Sequence, residues 1–96
     1  MKVLQVIKYT FAKHSRYCVV GGGSGGLNLT THLLRSGIPS HEIRVIDPSE
    51  QHFYQPGWTM VGAGLWQPTS TVQSMDKTFP SEIKILRQAI KQVKPN

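Results

Sequence analysis

A chain of 96 residues with 9 glycines, 6 prolines and one cysteine can form one small domain at most, and it excludes an internal disulfide framework. Its formal net charge of +6 is concentrated in residues 1–41, where five side chains are basic and none is acidic. These basic residues are not interleaved with aromatic residues as in nucleic-acid-binding modules, so nucleic acid is not expected as a partner.

The first element in chain order is a basic segment over residues 1–14, which also carries several apolar side chains. Its apolar residues are Val3, Leu4, Val6, Ile7 and Phe11. An amphipathic, acid-free start of this kind is typical of a mitochondrial transit peptide. A short disordered stretch before the first strand is the alternative. Residues 15–96 are then expected to form a partial dinucleotide-binding domain.

A strand, a glycine-rich turn and a helix follow in immediate succession. Arg16 to Val20 is β-prone, the glycines Gly21, Gly23 and Gly26 form a G-x-G-x-x-G motif, and Leu27 to Arg35 has a helical pattern. In a dinucleotide site the first glycine permits the tight turn, the second lets the backbone approach a pyrophosphate, and the third allows close packing of helix on strand. The pyrophosphate then lies at the positive end of the helix.

A second strand and an acidic residue complete the pattern. Gly37 and Pro39 are expected to end the helix, and Glu42 to Ile46 predicts a strand that is followed by Asp47. Asp47 lies 21 residues after Gly26, close to where a carboxylate accepts hydrogen bonds from an adenosine ribose. A flexible glycine loop is the alternative, but the agreement of all parts favours an α/β, Rossmann-like FAD/NAD(P)-binding βαβ unit with parallel strands.

Cysteine and histidine positions indicate no metal site. Cys18 lies inside the first predicted strand, where we expect a buried structural side chain rather than a reactive thiol. The four histidines are spaced too widely along the chain for a zinc motif.

Residues 53–75 contain no charged side chain but are rich in aromatic residues. Prolines and glycines interrupt the segment, so no membrane helix is predicted. It is interpreted either as a short helix and loop packed on its own domain or as a cover for a cofactor. Two further strands are predicted at Ile83 to Leu86 and at Ala89 to Val93. With so few strands the unit is expected to be incomplete, and we interpret the chain as the opening of a larger protein.

The glycine motif together with the segment after Asp47 resembles the eukaryotic mitochondrial sulfide:quinone oxidoreductases, flavoproteins with two dinucleotide-binding domains. The most restrictive match is the run from His52 to Gly64, with the sequence His-Phe-Tyr-Gln-Pro-Gly-Trp-Thr-Met-Val-Gly-Ala-Gly. The resemblance extends from about Tyr17 to the C-terminus.

The resemblance implies that the cofactor is FAD. Ser24 and Gly25 would contact its pyrophosphate, and Asp47 would hold the adenosine ribose, although the family more often has glutamate at this position. Gln55 matches a glutamine that contacts the cofactor, and Ile90 aligns with an apolar residue whose backbone meets the adenine.

The family oxidises hydrogen sulfide and passes electrons through FAD to ubiquinone at the inner mitochondrial membrane. Its redox cysteines, quinone pocket and membrane-binding region correspond to nothing in this chain, and Cys18 matches none of those cysteines. No catalytic residue is therefore assigned, and the isolated chain is expected to be inactive and to bind FAD weakly or undetectably.

Other interpretations remain open. Another FAD/NAD(P)-dependent oxidoreductase, such as a type-II NADH dehydrogenase, shares the glycines and the acid. The chain is also compatible with a short module that binds an ADP-containing cofactor, or with a truncated product without function.

Overall fold

The computed structural model of the protein describes residues 15–95, and the predicted transit segment lies outside them. The described residues form a three-stranded parallel sheet, one long helix and a two-stranded antiparallel ribbon. The strands are β1 (Tyr17–Val20), β2 (Ile43–Ile46), β3 (Gln51–Phe53), β4 (Val72–Ser74) and β5 (Lys84–Leu86). The helices are α1 (Ser24–Arg35), α2 (Trp58–Gly62) and α3 (Met75–Thr78).

The parallel sheet has the strand order β1-β2-β5, so that β2 lies in the middle. Tyr17 is paired with Ile43, and Arg44 with Lys84. The helix α1 connects β1 to β2, as a parallel pair requires a crossover connection. This architecture confirms the predicted Rossmann-like α/β unit. The first two predicted strands and Ile83 to Leu86 agree with β1, β2 and β5 to within one residue.

The core lies between one face of this sheet, α1 and α3. Its buried residues are Val19, Ile43, Val45, Met75, Phe79 and Ile83. Alternate residues of a strand point to opposite faces, so Val19 faces the core while its neighbours face outward. Leu27, Leu33 and Leu34 of α1 pack against the core from the helix side. Because β1, β2 and β5 are parallel, their carboxyl ends lie at the same edge of the sheet. The glycine motif, Asp47 and the end of β5 therefore lie together at this edge.

Cys18 is exposed, which corrects the expected buried position. The physical reason is the alternation of β1: Val19 takes the core side, and Cys18 and Val20 lie on the opposite face. Val20 is 61% exposed.

The predicted strand from Ala89 to Val93 is also wrong, because residues 87–95 contain no strand. Apolar alternation makes a strand only where a neighbouring strand accepts its hydrogen bonds. Here the chain turns away directly after β5, where the Gln88 N–H donates to the Leu86 carbonyl at 2.9 Å.

The uncharged segment folds largely on itself. It supplies the last residue of β3, a 3₁₀ turn at Gln55–Gly57, α2, a second 3₁₀ turn at Pro68–Thr71 and β4. The rings of Tyr54 and Trp66 stack with their centroids 6.5 Å apart, yet Trp66 remains 41% exposed. Within residues 15–95, no helix combines the length and apolar character needed to cross a bilayer.

Candidate cofactor-binding site

The glycine motif forms the turn between β1 and α1. Gly21 has a φ of +95°, a left-handed conformation that favours glycine, and its N–H donates to the Ile46 carbonyl at 2.8 Å. The turn is thereby joined to the end of β2 as well as to β1. The expected role of Gly21 in the tight turn is confirmed.

Gly26 allows the helix to approach the strand closely. A Cβ atom at this position would lie 1.8 Å from the Gly21 carbonyl oxygen and 3.4 Å from Cγ1 of Val19. No L side chain fits there without movement of the backbone. The predicted packing role of the third glycine is therefore visible as a steric requirement.

The N-terminus of α1 presents free backbone donors to solvent. Gly23 precedes the helix in an extended conformation, no side chain caps it, and the first turn contains no acidic residue. Gly23, Ser24 and Gly25 are exposed, and nothing lies within 4 Å of a Cβ built on either glycine. Unpaired N–H groups at a helix N-terminus favour an anion such as a phosphate. The open surface fits the diphosphate of a dinucleotide.

Asp47 follows β2 and lies beside this turn. Its Oδ2 atom accepts a hydrogen bond from the Gly22 N–H at 2.6 Å, and its Oδ1 atom accepts one from the Ser49 N–H at 2.7 Å. The structure thus brings Asp47 together with the glycine motif, as the spacing predicts. The spacing did not indicate the hydrogen bond between Asp47 and Gly22.

Gly22 is enclosed by side chains from three parts of the chain. Besides Asp47 at its N–H, the ring nitrogen Nδ1 of His52 lies 2.9 Å from its carbonyl oxygen. A Cβ on Gly22 would lie 2.9 Å from Sδ of Met75. The motif leaves this position unspecified, and sequence reasoning missed all three contacts around it. The run of three glycines was the available signal for a crowded position here.

Two predicted site residues lie outside this arrangement. Gln55 begins a 3₁₀ turn beyond β3 and is exposed. Ile90 lies in the irregular segment after β5 and is 40% exposed. Their assignment to a cofactor site remains a prediction.

Arg87 ties the end of β5 to the turn after Asp47. Its guanidinium donates to the Ser49 carbonyl at 2.5 Å and to Oδ1 of Asp76 at 2.7 Å. Because the Asp76 side chain is 78% exposed, the ion pair itself contributes little stability, and the contact to the Ser49 carbonyl is the more specific one.

The fold and this edge together define a class of protein. A parallel sheet, a glycine-rich turn that leads into an uncapped helix and an acid after the second strand form a Rossmann-like α/β unit of the dinucleotide-binding type. No protein-family model matches the chain.

Comparison with curated proteins is more specific than the fold. Three relatives match the chain, and each is named a mitochondrial sulfide:quinone oxidoreductase. The mouse protein is 33% identical over 87 residues, which cover 91% of this chain and 19% of the relative. The Dictyostelium discoideum protein is 30% identical and the Schizosaccharomyces pombe protein 28%, covering 84% and 85% of this chain and 18% and 21% of those relatives. The chain is therefore a relative of the mitochondrial sulfide:quinone oxidoreductases over most of its own length. It spans about a fifth of the curated proteins that it matches.

Proposed function

We propose that this chain supplies the part of an FAD site that holds the ADP moiety, within a flavoprotein oxidoreductase similar to sulfide:quinone oxidoreductase. The observation that carries the proposal is the open glycine turn at the uncapped N-terminus of α1, directly beside Asp47. Such a site combines donors for a diphosphate with an acceptor for a ribose.

The residues of the turn would contact different groups of the cofactor. The backbone N–H groups of Ser24 and Gly25 would donate to the pyrophosphate, while Gly23 leaves room for its approach. Each carboxylate oxygen of Asp47 accepts one backbone hydrogen bond but retains a second lone pair, so it can also accept from ribose hydroxyls. Gln55 is proposed to contact the cofactor further along, and the Ile90 backbone to meet the adenine.

FAD, when bound, would supply the two-electron redox chemistry of the oxidoreductase. In the complete reaction, hydrogen sulfide would be the electron donor and ubiquinone the acceptor. We assign no catalytic residue to the chain. Mitochondrial localisation follows by resemblance from the names of the relatives.

An NMR titration of the 96-residue chain with ADP tests the proposal. We expect the amide resonances of residues 21–26 to shift. Because only the ADP-binding edge is present, the dissociation constant should lie in the millimolar range, which corresponds to a binding free energy of about −4 kcal/mol. Adenosine without phosphates should shift them much less. A folded spectrum in which these amides do not respond would contradict the proposal.

A hybrid enzyme provides an independent readout. In it, residues 17–95 replace the matching segment of the mouse protein, and retained flavin is measured by visible absorbance. A folded hybrid that purifies without flavin would contradict the proposal.

Gly23→Val is the sharpest variant for both measurements. The position has an ordinary extended backbone and open surroundings, so valine should leave the fold intact. Its branched side chain would occupy the space of the pyrophosphate, and we expect ADP and FAD binding to be lost. Retained binding would mean that the diphosphate does not lie over Gly23.

Asp47→Ala should weaken ADP binding by about 1–3 kcal/mol, the usual cost of a lost charge-assisted hydrogen bond. Asp76→Ala is the matched control, since it removes an exposed carboxylate outside the site. Equal affinities of the two variants would show that another group holds the ribose.

A further inference from the structure

His52 is a buried polar side chain whose partner lies in the glycine turn. It is 7% exposed, and its Nδ1 atom lies 2.9 Å from the Gly22 carbonyl oxygen, 30 residues away in sequence. A carbonyl can only accept a hydrogen bond, so Nδ1 must carry the proton and donate. The antiparallel ribbon holds His52 in this position, because His52 is the middle residue of β3 and pairs with Gln73 of β4.

The hydrogen bond between His52 and the Gly22 carbonyl also fixes the direction of the Gly23 N–H. The Gly22 carbonyl and the Gly23 N–H belong to the same peptide unit, which is planar and trans, so the two groups point in opposite directions. When His52 holds the carbonyl toward the interior, the Gly23 N–H points toward the open side of the turn. Asp47 holds the preceding peptide unit through the Gly22 N–H at 2.6 Å.

Consecutive glycines need such restraints. Three glycines in a row have wide conformational freedom, and a peptide between two of them can rotate at low cost unless its polar groups are held. A rotated peptide would place a carbonyl oxygen where a phosphate needs a donor. A fixed orientation avoids this cost at the moment of binding.

We propose that His52 is a positioning residue that orients the Gly23 N–H toward the diphosphate of the cofactor. The inference rests on the proposed FAD-binding function, but its first consequence, restraint of the turn, can be measured without ligand.

The experiment compares four variants of the 96-residue chain. His52→Phe and His52→Leu remove the donor and keep an apolar side chain. His52→Asn restores a donor, because the asparagine amide nitrogen is bonded to Cγ as Nδ1 of histidine is. His41→Phe makes the same chemical change at an exposed histidine and serves as control.

Two readouts are measured by NMR. The first is hydrogen exchange of the Gly22 amide, relative to the amide of Val45 in the central strand. The second is affinity for ADP. In His52→Phe and His52→Leu we expect Gly22 exchange to be faster and ADP binding weaker, each by about tenfold, as loss of one buried hydrogen bond predicts. His52→Asn and His41→Phe should stay close to the unsubstituted chain.

The outcomes separate this inference from the proposed function. If the unsubstituted chain binds ADP and the apolar variants bind it equally well, His52 does not position the turn, and the cofactor site stands. If no form binds ADP but Gly22 exchange follows the expected order, His52 restrains the turn and the proposed cofactor is wrong. Unchanged Gly22 exchange in a folded His52→Phe, or unfolding of both apolar variants, would overturn the positioning role.

Discussion

The glycines of the turn serve different physical purposes although they stand side by side. Gly21 adopts a positive φ, Gly22 is enclosed by Asp47, His52 and Met75, and Gly26 lies against the carbonyl of Gly21. Of these four glycines, only Gly23 has both open space at the Cβ position and the position directly before the helix. The motif therefore has a folding role at Gly21, Gly22 and Gly26, and the proposed function gives it a binding role at Gly23.

Gly26→Ala should separate these two purposes. The new Cβ would meet the Gly21 carbonyl oxygen at 1.8 Å, and backbone cannot move aside as a flexible side chain can. We expect the free energy of unfolding, measured by urea denaturation, to fall by about 1–3 kcal/mol.

Gly25→Ala is the matched control in the same helix. Nothing lies within 4 Å of its Cβ position, and alanine favours a helix over glycine by about 0.5–1 kcal/mol. It should therefore leave the chain as stable or slightly more stable. Equal losses in the two variants would contradict close packing at Gly26.

The short elements depend on tertiary contacts rather than on their own propensity. β3 and β4 have three residues each and α3 has four, which is too short for independent stability. Met75 and Phe79 anchor α3 in the core, and the Met75 N–H donates to the Glu50 carbonyl at 2.9 Å. The ribbon and α3 thereby hold His52 and Met75 against Gly22.

Met75→Ala tests this dependence. Met75 is 1% exposed and contacts both the core and the space beside Gly22, so its truncation should cost about 2–5 kcal/mol in urea denaturation. Lys77→Ala in the same helix is exposed and should stay within about 0.5 kcal/mol. Comparable effects of the two substitutions would show that α3 is not part of the cooperative core.

At the scale of the whole molecule, several large apolar side chains face solvent. Val20 lies on the outer face of the sheet, and Trp58, Leu65 and Trp66 project from the uncharged segment with 41–68% exposure. Exposed large apolar side chains in a small protein favour association. The formal charge of +6 opposes it through repulsion between copies.

We therefore expect the 96-residue chain to self-associate at high concentration, and more strongly as added salt screens the repulsion. Val20→Thr combined with Leu65→Ser should reduce the association in sedimentation velocity experiments. Salt-independent monomers at every concentration would refute this expectation.

The glycine turn was predictable because its signals are local. The positive φ of Gly21, the start of α1 and the place of Asp47 after β2 all follow from glycine geometry, helix periodicity and spacing along one βαβ unit. The resemblance carried by the His52 to Gly64 segment is likewise a property of the linear sequence, and the three relatives confirm it.

Other features depend on contacts between residues that are far apart in the chain. The exposure of Cys18, the absence of a strand at Ala89 to Val93 and the ribbon of β3 and β4 follow from which face, edge or neighbour the folded chain provides. Sequence by itself determined a glycine turn between a strand and a helix, with an acid after the next strand, because glycine geometry and the spacing within one βαβ unit can be recognised without the folded structure. Only tertiary structure decided that Asp47 and His52 hold Gly22, since a hydrogen bond across 25 or 30 residues requires the complete edge of the sheet.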